Sequence, residues 1–204
     1  MTSLVFFLLF DKIRYNDHIT LDSGLGKEAV MEHRIAVIGY SGSGKSTLAR
    51  ELADQYGCEV LHLDCVHWLP GWKERDNAEK EEIVSAFMDT HNSWVMDGNY
   101  KSTCYERRME TATEIIFLDF PVHICLYRAW KRYFAYRGKS RESMTEGCEE
   151  KIDGEFLWWI LHKGRDKSHK SWYQELCKKY SNKVVVLKSP REVRAFRGRR
   201  QGKP

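Results

Sequence analysis

Residues 34–50 read RIAVIGYSGSGKSTLAR, an apolar run that breaks into a glycine-rich turn and then into a helix-forming segment. Gly39, Gly44, Lys45 and Ser46 fill the GxxxxGK[ST] spacing without a gap. Glycines 39, 42 and 44 permit backbone torsions and close approaches that a Cβ would block. The consecutive N–H groups of this stretch, those of Ser41 and Ser43 included, can therefore turn into one concavity and hold phosphate oxygens. The helix opening near Lys45 adds the positive end of its dipole. Lys45 is placed to reach β and γ phosphates, the Ser46 hydroxyl to coordinate Mg²⁺, and Thr47 to donate to an α phosphate. The loop predicts ATP binding with Mg²⁺.

Working outward, four more apolar runs follow: 60–63, 94–96, 115–118 and 184–187. Most are continuous rather than alternating, as strands covered on both faces are. Helical patterns lie between them. Residues 46–56 place Leu48, Leu52 and Ala53 on one face and stop at Gly57. Asp76 followed by Glu79 predicts a capping box ahead of Ile83, Val84, Phe87 and Met88. Pro121 opens a helix with Leu126, Ala129, Trp130 and Tyr133 as its apolar stripe. Alternation of this kind predicts a three-layer α/β fold of the P-loop NTPase type, similar to nucleotide kinases. It has a five-stranded parallel sheet of order 2-3-1-4-5, right-handed crossovers and a helical lid.

Sites in such sheets lie beyond the carboxyl ends of the strands, so carboxylates there are candidates. Asp97 in WVMDGNY and Asp119 in IIFLDFP both end strands that flank the first. Asp97 is favoured for Mg²⁺ because Gly98 lets the chain leave without crowding, while Asp119 can cap the helix after Pro121. Asp64, in HLDCVHWLPGW, is placed to orient or deprotonate an acceptor hydroxyl. Trp68 and Trp72 bracket an irregular turn and offer an apolar or stacking wall for a small acceptor, and Arg107 and Arg108 are placed to meet an acceptor phosphate. From Arg128 through Lys131, Arg132, Arg137, Lys139 and Arg141 no acid intervenes. That run predicts a lid whose arginines, Arg128 and Arg137 among them, stabilise the charge spread over a transferring phosphoryl group. Gly138 and Gly147 are its expected bending points.

Charge and composition exclude other classes. The chain has 33 basic and 29 acidic residues, net +4. Five of the basic residues, Arg194, Arg197, Arg199, Arg200 and Lys203, fall in the last twelve positions, leaving 28 against 29 in the body. A near-neutral body with a short basic tail argues against a duplex nucleic-acid binder, which needs a basic folded face. Six scattered cysteines without a CxxC pair read as thiols of a reducing compartment. The apolar run Leu4 to Phe10 is about a third of the roughly 20 residues a membrane span takes, and it lacks the flanks of a secretory signal. The expectation is a cytoplasmic enzyme without a membrane segment, monomeric or dimeric. Residues 1–30 fit the plan badly, and Met31 enters the first strand directly. They are read either as a mis-assigned start or as a real extension, with the domain over 31–197, a lid at about 135–167 and a basic tail at 198–204.

Together, IAVIGYSGSGKSTLAR, HLDCVHWLPGW, WVMDGNY, IIFLDFP and EGCEEKIDGEFLWWI resemble the bacterial topology modulation protein family, a branch similar to adenylate and shikimate kinases. The resemblance covers residues 33 to about 197. It implies a P-loop kinase core using ATP and Mg²⁺, an acceptor segment at Asp64–Trp72, ATP contact by Arg128, and an adenine site near Ser189 to Arg191. It also supports Asp97 at the metal. DGNY stands where adenylate kinases carry DGFPR, so the acceptor-phosphate arginine of those enzymes is missing at that spot. The expected activity is transfer of the γ-phosphoryl group to a small acceptor, a nucleotide or nucleoside. The competing expectation is a P-loop ATPase tied to DNA topology, without such an acceptor.

Overall fold

The computed structural model describes residues 31–201; the leader question at 1–30 and the last three residues of the tail lie outside them. Strand β1 (Arg34–Gly39) takes the centre of a five-stranded sheet with β2 (Glu59–His62), β5 (Trp94–Asp97), β6 (Glu114–Leu118) and β7 (Val184–Leu187). All neighbours run parallel, in the order β2-β5-β1-β6-β7. Counting these five strands alone, the order is the expected 2-3-1-4-5. Ile35 to Ile38 are at most 1% exposed, so β1 is covered on both faces as its unbroken apolar run requires.

Register matters more here than strand count. Val37 pairs with Asp97, and Asp97 pairs with His62, so the ends of β1, β5 and β2 arrive at one edge together. Helix α1 (Lys45–Tyr56) leaves that edge and buries Leu48, Ala49, Leu52 and Ala53 on the sheet, the two leucines contributing about 1.5–3 kcal/mol each. It ends at Gly57, whose φ of 60° and N–H bond to the Ala53 carbonyl make a left-handed cap.

After β2 come a short helix α2 (Leu63–His67) and a hairpin of β3 (Trp68–Leu69) and β4 (Lys73–Glu74), where an irregular turn was expected. Helix α3 (Asn77–Thr90) starts at Asp76, whose carboxylate accepts from Ala78 N at 2.9 Å. The other half of the expected capping box does not form, because Glu79 pairs with Arg75 instead. Helix α4 (Tyr105–Thr111) links β5 to β6, and α5 (Val122–Tyr136) follows β6. Its buried face is Cys125 and Ala129, while Trp130 is 58% exposed. Of the expected stripe, Ala129 is buried and Leu126 packs against the core, while Trp130 faces solvent and Cys125 lies on the buried side instead.

The chain then runs through residues 137–153 to α6 (Gly154–Leu161), a 3₁₀ turn (Lys163–Arg165) and α7 (Lys167–Lys179), and after β7 ends in α8 (Pro190–Gln201). This corrects the basic tail. Val193 and Phe196 are buried, Arg197 pairs with Glu51, and Arg200 pairs with Glu114 on β6. An i, i+3 apolar pair among arginines is enough to seat a helix whose average polarity hides it. Ser189 caps it by accepting from Glu192 N at 3.2 Å.

Candidate active site

The glycine loop is held at its base by contacts that admit no side chain. A Cβ on Gly42, at φ 79°, would lie 2.3 Å from the Cys125 carbonyl oxygen of α5. A Cβ on Gly39 would lie 2.6 Å from that of Leu118. Asn99 supplies a further clamp. Its side-chain oxygen accepts from Gly39 N at 3.0 Å and its amide donates to Gly39 O at 2.7 Å. Gly98 N donates to Val37 O at 3.1 Å, so the loop after β5 is sewn to the start of the glycine loop.

Around this loop the side chains converge. Ser46, in the first turn of α1, donates to Asp97 Oδ2 at 2.7 Å, and the other oxygen of Asp97 is bonded to Nδ1 of the buried His62. Asp97, not Asp119, therefore meets the loop serine. Asp119 gives its backbone N–H to Leu187 O, and the α5 N-terminus has no side-chain cap. Burial pushes the Lys45 ammonium below its ordinary pKa, while Asp64 and Asp97 pull it up. The ammonium donates to Tyr40 O at 3.3 Å. Ser41 and Thr47 flank the same concavity in sequence, and Ser43 Oγ is buried without a hydrogen-bond partner. Ser43 O accepts from Arg128 at 2.5 Å, which puts Arg128 against the loop.

Asp64 sits in the first turn of α2, two residues past the end of β2, where the strand end was expected. It accepts from the Tyr100 hydroxyl at 2.8 Å. Burial first, and then the Asp64 charge, raise the Tyr100 phenol, so it stays protonated and acts as the donor. The Trp68 and Trp72 rings meet edge to face at 5.5 Å, with Lys151 over Trp72. Arg108 is buried beneath the DGNY loop, donating to Thr103 O at 2.9 Å and to Tyr100 O, and burial brings its pKa down to about 10.

Three expected residues are not brought to the centre. Arg107 donates to Ser85 at 2.6 Å and pairs with Asp89, both on α3. Arg137 is exposed at the end of α5, its backbone bridged to Glu150. Arg191 is exposed in the first turn of α8 rather than in a loop. Conversely, His62, Asn99, Tyr100, Arg132, Arg141 and Glu150 belong to the site, and the sequence reading gave the first three and Glu150 no role there. Residues 137–153, within the expected lid at about 135–167, lie folded against the hairpin. Thr145 donates to Trp68 O at 2.5 Å, Cys148 to Leu69 O at 3.3 Å, and Gly71 N to Gly147 O at 3.2 Å.

No family model and no curated protein matches the chain. Among solved structures it is similar to a sugar kinase from Janibacter sp. HTCC2649, 17% identical over 82% of this chain and 92% of that one, with a TM-score of 0.42. It is also similar to shikimate kinase from Acinetobacter baumannii in complex with shikimate, at 14% identity, 83% and 92% coverage and a TM-score of 0.44. A third is deoxyadenosine kinase from M.mycoides with bound dATP, at 16%, 82% and 99%, and 0.45. With values this low, the fold assignment stands on the sheet order and the glycine loop rather than on these likenesses. No helix among the described residues is long and apolar enough to cross a membrane.

Proposed function

We propose that the chain is an ATP-dependent phosphotransferase acting on a small acceptor. The observation that carries this reading is the contact of Ser46 with Asp97 at the mouth of the glycine loop, with the charge of Asp64 close enough to raise the pKa of Lys45. A hydroxyl and a carboxylate oxygen 2.7 Å apart, both oxygen donors, suit a hard divalent cation such as Mg²⁺. Ser46 and Asp97 would hold it. When bound, such an ion neutralises charge on the phosphate oxygens.

The chain's own residues divide the remaining work. Backbone N–H groups between Ser41 and Thr47, except that of Ser43, which donates to Tyr40 O, cradle the polyphosphate, and Lys45 reaches its outer phosphates. Arg128, fixed on Ser43 O, adds charge on the same side. Asp64 accepts the proton of an acceptor hydroxyl, with one oxygen already fixed by Tyr100. Trp68 and Trp72 form the acceptor's wall. The acceptor expected here is a nucleotide, a nucleoside or another hydroxylated metabolite.

The DNA-linked reading loses its main support. Its basis was a free basic tail, and Arg197 and Arg200 are engaged with Glu51 and Glu114 inside the fold. The test is to incubate the protein with γ-labelled ATP, Mg²⁺ and a panel of nucleotides, nucleosides and hydroxylated metabolites. Label should appear on one class of acceptor. Normal ATP binding with no transfer to any member would count against a kinase.

A further inference from the structure

Glu150 lies between two guanidiniums in the lid. Its Oε1 accepts from Arg132 Nε at 2.7 Å, its Oε2 is 2.6 Å from Arg141 Nε, and its side chain is 4% exposed. Two arginines converging on the two oxygens of one buried anion is the arrangement that recognises phosphate. The clamp is also at the reacting centre, because the charge of Asp64 raises the pKa of Arg132 and the charge of Arg132 lowers that of Lys45. Burial and the neighbouring Arg141 push Arg132 below its ordinary pKa, a repulsion that only an anion between them relieves. Glu150 relieves it incompletely. Arg141 Nε is buried and makes no well-aligned hydrogen bond despite its closeness to the carboxylate.

We propose that Glu150 is an internal stand-in ligand, filling a phosphate-binding clamp made by Arg132 and Arg141 and leaving it when a phosphate group of a substrate arrives. A phosphate brings more charge and more acceptor oxygens than one carboxylate, so it outcompetes Glu150 once it is delivered to the site. Departure of Glu150 has a mechanical consequence. Its backbone N–H bonds Lys139 O at 3.1 Å, and the same strap is bonded to the Trp68–Trp72 hairpin through Thr145, Gly147 and Cys148. Filling the clamp therefore loosens the strap over the acceptor wall, and phosphate arrival is coupled to acceptor access. This inference rests on the reading of the glycine loop as an ATP site.

The test uses the full chain and Glu150→Gln, titrated calorimetrically at fixed ionic strength with ATP, ADP and inorganic phosphate. Removing the stand-in's charge should tighten binding about tenfold, the usual size of such a coupling. If the γ-phosphate fills the clamp, ATP gains and ADP does not; if an acceptor phosphate fills it, inorganic phosphate gains in the presence of ADP. In either case the gain should vanish in Glu150→Gln/Arg141→Gln. Unchanged or weaker binding of all three overturns the proposal and makes Glu150 a strut that merely orients the arginines. Should Glu150→Gln fail to fold, amide exchange in the wild-type chain decides. Exchange at the Glu150 and Gly71 amides should quicken with ligand, and unchanged or slowed exchange overturns the idea. If neither ATP nor ADP binds even the wild type, the functional reading has failed, and the inorganic phosphate titration alone settles the clamp.

Discussion

The glycine loop and the lid strap both face the same centre, yet they are built by opposite means. The loop is fixed by backbone. Its glycines touch carbonyls of β6 and α5, its first residue is clamped by Asn99, and its serine is tied to Asp97. The strap is fixed by side-chain charge and a few hydrogen bonds to a hairpin edge, around Gly138 and Gly147 at positive φ. Backbone packing gives one geometry or none, whereas ion pairs and edge bonds can be exchanged for a ligand's own. The loop is thus held by packing, and the strap by bonds that a ligand can replace.

The contrast can be broken most sharply at the loop. Gly42→Ala sets a methyl group into the Cys125 carbonyl at a left-handed position, and should destabilise the fold by about 3 kcal/mol; calorimetric melting measures it. Lys45→Ala should abolish detectable ATP binding while leaving the melting temperature nearly unchanged, since Lys45 donates to one carbonyl only. Asp64→Asn should keep ATP affinity and lower transfer by about 10²–10⁴-fold, the range for a lost general base; a parallel loss of ATP binding would dissolve the distinction between phosphate loop and acceptor wall. Asn99→Ala removes two hydrogen bonds from the loop's first residue and should cost about 1–2 kcal/mol in ATP binding, read by titration. Asp76→Ala, which removes only the cap of α3, should cost about 1 kcal/mol of stability, with ATP binding intact.

Most of the architecture was legible in the sequence because it rests on local signals. Unbroken apolar runs gave the parallel strands, and the glycine spacing gave the loop, down to Lys45 and Ser46. Asp97 over Asp119 was argued from the glycine that follows it, and Asp97 is the carboxylate that meets the Ser46 hydroxyl. What stayed hidden depends on contacts between residues far apart in the chain. Nothing local says that His62 faces Asp97, 35 positions on, or that Glu150 closes on Arg132 and Arg141. Trp130 misled because a large ring raises apparent apolarity wherever it points, and here it points to solvent. Helix α8 was read as a tail because its arginines outweigh Val193 and Phe196 in any average. Arg107 looked available only because its partners, Ser85 and Asp89, are on another helix.

Asn99 offers a last consequence. Two residues that each give and take an N–H···O bond form a rung of a sheet, and Asn99 exchanges just such a pair with Gly39 through its side chain. The β1–β5 pairing is parallel and has no such rung of its own, so Asn99, two residues past the end of β5, adds an antiparallel type of rung made of amide side chain. That rung hangs on a single residue, while the strands beneath it rest on many and the rest of the loop on Gly42 and Ser46. Losing the rung frees the loop's first residue alone, with the Gly42 and Ser46 contacts and the sheet still in place.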